Sequence, residues 1–77
     1  MNININDVII DRKSNSRYKI VDIIHSRYKS EDTIYAAKCL TDINPNTKNC
    51  TYPFHQSHIE YYEVDLDEKL YRLINNI

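Results

Sequence analysis

The sequence predicts a mainly β domain: one small, bent antiparallel arrangement of five strands followed by a C-terminal amphipathic α-helix. Three observations carry this reading. Short runs rich in Ile, Val, Thr and Tyr recur between clusters of Asn, Asp, Ser and Lys, the pattern of strands separated by turns. Pro53 interrupts the fourth run, and its missing amide donor confines that segment to a sheet edge, a bulge or a strand end. From Asp65 onward the apolar period becomes that of a helix.

The first run, Ile3 to Ile10, ends in the polar cluster 11–16 and reads as a strand followed by a turn. Tyr18 to His25 holds Ile20, Val21, Ile23 and Ile24, broken only by Asp22, and is expected to be the longest and most buried strand. After the turn cluster Lys29-Ser30-Glu31-Asp32, Thr33 to Leu40 resumes a strand whose small Ala36 and Ala37 let another element approach. Asp42 to Asn49 is a loop around Asn44-Pro45-Asn46, closing a hairpin onto the short strand Cys50 to Phe54. His55 to Glu60 suits a single 3₁₀ turn, and Tyr61 to Val64 is the last strand.

In the helix, Leu66, Leu70, Leu73, Ile74 and Ile77 fall at i, i+4, i+7, i+8 and i+11, one apolar stripe. Asp65 is a natural N-cap, Glu68 stands at the capping-box position, and Asp67 and Glu68 suit the positive end of the helix. So short a helix is marginal alone, so the stripe needs a surface to cover. Packing on its own sheet is expected, because a thin core gains most from added apolar burial. Otherwise Leu70, Leu73 and Ile77 form the seam of a homodimer through the C-terminal helix.

Seventy-seven residues make a single domain, 1–77, that buries about 60% of the surface its unfolded chain exposes. A water-excluded catalytic pocket would consume much of that interior, so the chain is not expected to be an enzyme. There is no Gly, and Tyr outnumbers Phe seven to one; turns needing positive φ must use Asn or Asp. The bias toward Asn, Ile, Lys and Tyr fits an A/T-rich coding sequence, as in many phages and low-GC bacteria.

Residues 1–38 carry seven Lys or Arg against five Asp or Glu, and residues 39–77 three against six, for a net charge of −1. Neither half has the basicity of a dedicated nucleic-acid domain or the acidity of a DNA mimic. With no long apolar run and no signal-peptide pattern, the protein is expected in the cytoplasm, a host's cytoplasm if phage-encoded, without a membrane partner. The sequon Asn49-Cys50-Thr51 then reads as chance, and Cys39 and Cys50 as reduced thiols packed as small apolar groups.

The opening Asp7-Val8-Ile9-Ile10-Asp11 with Arg17-Tyr18-Lys19-Ile20-Val21-Asp22-Ile23, and the closing Tyr52-Pro53-Phe54 with Ile59-Glu60-Tyr61-Tyr62, resemble the small SH3-like β-barrels over residues 3–64. Such openings look like those of small accessory proteins of phage and bacterial genomes. The resemblance implies a five-stranded bent barrel serving as an interaction platform. It does not extend to the SH3 domains that bind proline-rich ligands, whose groove needs a Trp absent from this chain.

A repeated tetrapeptide, Ser16-Arg17-Tyr18-Lys19 and Ser26-Arg27-Tyr28-Lys29, is the most specific internal feature. On a straight strand the copies would stand roughly 33 Å apart. Bending would let Arg17, Lys19, Arg27 and Lys29 flank one surface with Arg12, Lys13 and Lys38, while Tyr28 stacks on a base. The plainer reading makes Tyr18 a core or rim residue, Tyr28 a loop residue and the charges a solvated edge. Glu60 and Glu63, beside Tyr62, could meet a basic patch on a partner.

His55, His58, Cys39 and Cys50 are zinc-type donors, but their spacing forms neither a Cys-x-x-Cys knuckle nor a helical ligand pair, so no metal and no other cofactor is expected. The expected function is a non-enzymatic protein-interaction module, in concrete form a small phage-type accessory protein that binds and inhibits a host protein. Its candidate contact residues are Arg17, Lys19, Arg27, Tyr28, Lys29, Glu60, Tyr62 and Glu63. The alternative is a nucleic-acid-binding barrel that uses the Arg-Tyr-Lys repeats.

Overall fold

The structure is a computed structural model that describes residues 3–29 and 32–75. Its elements are β1 (Val8–Asp11), β2 (Arg17–Ile24), β3 (Ile34–Cys39), β4 (Thr51–His55), α1 (Gln56–Ile59), β5 (Tyr62–Val64) and α2 (Leu66–Asn75). The strands form one antiparallel sheet in the order β4-β3-β2-β1-β5. The first four pair in succession, and α1 carries the chain back so that β5 joins the far side of β1. Among the described residues no ladder joins β4 to β5, so the sheet is open where a closed barrel was expected. It is nevertheless curled, since Phe54 on β4 and Tyr62 on β5 bring their ring centroids to 5.1 Å.

Register decides which face is core. Ile9 stands opposite Tyr18 and Val64, Ile20 opposite Ala37, and Tyr35 opposite Ile23 and Phe54, so these side chains share the inner face. Ile9, Ile20 and Ala37 have no exposed surface, and Ile59 of α1 plugs the same core. A register shift between Ile20 and Asp22 leaves Val21 as the extra residue of a bulge, which bends β2. Pro53 lies in the edge strand β4, as its missing donor requires.

Three local expectations are corrected. Residues 3–7 form a turn instead of extending β1: the Asp7 carboxylate accepts the Asn4 amide at 2.9 Å, and Asn6 takes φ 76°. Asn15 takes φ 60° in the next turn, so asparagine does here what glycine usually does. The segment after β4 is one α-turn rather than 3₁₀, and His55 caps it, its Nδ1 accepting the Ser57 amide at 3.1 Å. Cys50 is exposed and Cys39 half-buried, so the first does not pack as an apolar group.

The fourth correction concerns α2. Asp65 caps it as expected, its Oδ1 accepting the Glu68 amide at 3.0 Å. The reciprocal half of the capping box is not made, because the Asp65 amide bonds the Val8 carbonyl and the Glu68 carboxylate turns toward Arg72 at 3.5 Å. The stripe does not pack on the sheet: Leu66, Leu70, Leu73 and Ile74 are all exposed, and Lys69 and Arg72 face the body of the protein instead. Ile77 lies outside the described residues.

Candidate functional site

Curling brings the two sheet edges near each other without joining them, and a cleft of about 700 Å³ opens between them. Pro53, Phe54, His58, Tyr61 and Tyr62 line one side, and Asp11, Arg12 and Lys13 of the β1–β2 turn the other. Its floor is a ring cluster. Tyr18 meets Phe54 at 5.1 Å and Tyr62 at 6.1 Å, and all the pairs, Phe54–Tyr62 included, are edge-to-face. That geometry sets positive ring edges on negative ring faces, so the aromatics hold one another in place. Burial raises the pKa of Tyr18 and of Tyr62, and both phenols stay neutral.

Charge at the rim is mostly internally satisfied. Asp11 accepts the Lys13 amide at 2.9 Å, which holds its carboxyl below the ordinary range. Arg12 Nε meets Glu63 Oε1 at 3.2 Å. Lys13 makes no ion pair within contact distance among the described residues, although its charge helps to lower the neighbouring Asp11 carboxyl, and its exposed ammonium stands at the rim with the His58 ring across the cleft. The cleft therefore offers an apolar aromatic floor with a rim of mixed charge, the Asp11 carboxylate beside Arg12 and Lys13.

The residues singled out in the sequence are dispersed. Arg17 is spent on Asp65, with Nη2 to Oδ2 at 2.5 Å, and Lys19 stands opposite Lys38 on the outer face of the sheet. Arg27, Tyr28 and Lys29 lie in the turn beyond β2, where Ser26 Oγ accepts the amides of Tyr28 and Lys29 at 3.2 Å and Tyr28 is 93% exposed. The two tetrapeptides thus differ in role: Tyr18 points into the ring cluster and Tyr28 into solvent. Glu60 is exposed after α1, Glu63 reaches the cleft through Arg12, and Tyr62 lines it.

Sequence reasoning did not place Arg12, Lys13, Phe54, His58 and Tyr61 at a common site. The available clue was a proline between two aromatics on one edge strand and a Tyr pair near the other edge, but only the strand order makes these segments neighbours. His55 and His58 have ring centroids 6.2 Å apart, and His55 is engaged by Ser57 and Asp32. Among the described residues no three His, Cys, Asp or Glu side chains converge to hold a metal ion, and no helix is long and apolar enough to cross a membrane. Comparison with family models, curated proteins and solved structures finds no match, so function must be read from the chain's own chemistry.

Proposed function

We propose that the chain is a non-enzymatic protein-interaction module that receives an extended segment of a partner protein in the cleft between β4 and β5. The observation that carries this is the cleft itself, floored by interlocked rings and rimmed by Lys13 and His58. A segment offering an apolar or aromatic side chain to the floor and a carboxylate to Lys13 fits both features. The strand order, with a one-turn helix between β4 and β5, supports reading the sheet as an opened SH3-like barrel. In concrete form the module is a small accessory protein, of the phage type the sequence resembles, that occupies and inhibits a larger host protein.

Tyr61 is 64% exposed and Lys13 is exposed, so changing either leaves the fold intact. The tagged chain should capture a stoichiometric protein from a bacterial extract, with capture lost in Tyr61→Ala and in Lys13→Glu. Absence of a partner, or a partner held equally by both variants, sinks the reading.

A nucleic-acid reading keeps one specific support, the solvent-facing Tyr28 between Arg27 and Lys29. It stands second because Arg17 is already neutralised by Asp65 and Tyr18 is turned inward. Binding to single strands that falls steeply with salt, and that Arg27→Ala and Tyr28→Ala abolish, would bring it forward.

A further inference from the structure

The two cysteines of the chain stand at the two ends of the loop between β3 and β4, Cys39 as the last residue of β3 and Cys50 just before β4. Register sets them opposite each other. The Gln56 amide donates to the Thr33 carbonyl at 2.9 Å, so these residues form a narrow, hydrogen-bonded pair, and narrow pairs recur at every second step of an antiparallel ladder. Tyr35 with Phe54 and Ala37 with Tyr52 are the next two, and Lys38 with Thr51 is the wide pair that ends the ladder. Continued one step, the register makes Cys39 and Cys50 the following narrow pair. Partners in such a pair have Cα atoms about 5.5 Å apart and side chains on the same face of the sheet. That lies inside the range of roughly 4.4 to 6.8 Å that a disulfide spans. Cys39 is fixed from its other side by pairing with Tyr18 of β2, whereas Cys50 belongs to the loop's exit, its amide bonding the Thr47 carbonyl at 2.9 Å. Both thiols are free and make only local contacts, Cys39 Sγ at 3.4 Å from Thr41 Oγ1 and Cys50 Sγ donating to the Asn46 carbonyl at 3.8 Å. A thiol is a weak donor and a weak acceptor, so little opposes a turn of each toward the other.

We propose that Cys39 and Cys50 are a redox-responsive pair that closes into a disulfide across the mouth of this loop when the chain meets a disulfide oxidant such as oxidised glutathione. Cys50 is exposed and Cys39 half-buried, so Cys50 reacts first. Its thiolate attacks one sulfur of the glutathione disulfide, which forms a mixed disulfide and releases one glutathione thiolate. The Cys39 thiolate then attacks the Cys50 sulfur and releases the second glutathione. Two electrons pass from the cysteines to glutathione, and the two protons the cysteines lose end on the two released thiols. The structure holds the reduced form of the pair. Oxidation ties the beginning of β4 to β3, and β4 carries Pro53 and Phe54 of the cleft wall.

Neither cysteine lines the cleft, so the test does not depend on the cleft's occupant. The folded chain, at low micromolar concentration in a buffer of reduced and oxidised glutathione, should yield a Cys39–Cys50 disulfide by acid quenching and peptide mass mapping. Cys39→Ser should stop at a glutathione adduct on Cys50. The bond should be roughly a hundredfold more favoured in the folded chain than in the same chain in urea, the scale on which native cross-links stabilise folds. That ratio separates pairing by register from mere closeness in sequence, which persists in urea. By linkage the folding equilibrium of the oxidised chain should rise over the reduced one by the same factor. A ratio of one or less overturns the inference, as does a wild-type chain that yields only glutathione adducts or covalent dimers. Should Cys39→Ser unfold, early alkylation of the wild-type reaction should show the adduct on Cys50 before the cross-link. An adduct that appears first on Cys39 overturns the order of attack.

Discussion

Asp7 and Arg72, 65 residues apart in the chain, meet at 2.8 Å with the carboxylate wholly withdrawn from solvent. Burial alone would raise the Asp7 pKa. The Asn4 amide, Arg72 and Lys69 outweigh it, and the group is held below its ordinary value. One side chain thus closes the turn before β1 and anchors the helix after β5.

Asp7→Asn should therefore detach α2 while leaving the sheet in place. Losing one partner of a buried ion pair costs about 3 kcal/mol. Urea unfolding should show that loss, and hydrogen exchange should show protection lost first in residues 66–75. Unchanged helix protection would mean that α2 is held by something other than Asp7.

The acid limb of the stability curve follows from the same group and from Asp65, whose carboxyl is lowered by the Glu68 amide and then by Arg17. Both pKa values are depressed in the folded state. Their contribution is fully present above the unfolded value near 3.8 and is lost as pH falls through the folded values. Helical circular dichroism should hold from neutrality to about pH 4 and decline below it. Asp7→Asn should flatten that decline.

Core and stripe should respond oppositely to truncation. Ile20→Ala, at a position with no exposed surface, should cost about 3 kcal/mol. Leu73→Ala, at an exposed helix position, should change the stability of the monomer by no more than about 0.5 kcal/mol. Denaturation at low micromolar concentration separates this from any effect on self-association.

Asn15 holds φ 60° between β1 and β2. Asn15→Ala should cost about 1 kcal/mol, because alanine keeps the Cβ that crowds the following carbonyl but loses the polar side chain that makes the left-handed conformation tolerable, whereas Asn15→Gly should be near neutral because it removes that Cβ. A cost that is equal for both would show that the Asn side chain, not its backbone conformation, matters there.

Much of the local structure was legible in the sequence. The boundaries of β2, β3 and β4 fall within one residue of those read from the β-branched runs and the turn clusters between them, and Asp65 caps the final helix. Two features were not legible. The cleft unites β4 with the β1–β2 turn and the Tyr61-Tyr62 pair, and their proximity depends on the sheet order rather than on any local pattern. The helix stripe was visible, but its direction was not.

What the sequence by itself determined is the set of elements, since periodicity, proline and capping act over a few neighbouring residues. Tertiary structure alone decided that the sheet stays open and that α2 turns its polar face inward. The physical reason lies in Asp7: once the turn at residues 4–7 buries that carboxylate, leaving it unpaired costs more than leaving the leucines exposed. Lys69 and Arg72 are therefore drawn in, and the apolar stripe is left facing outward.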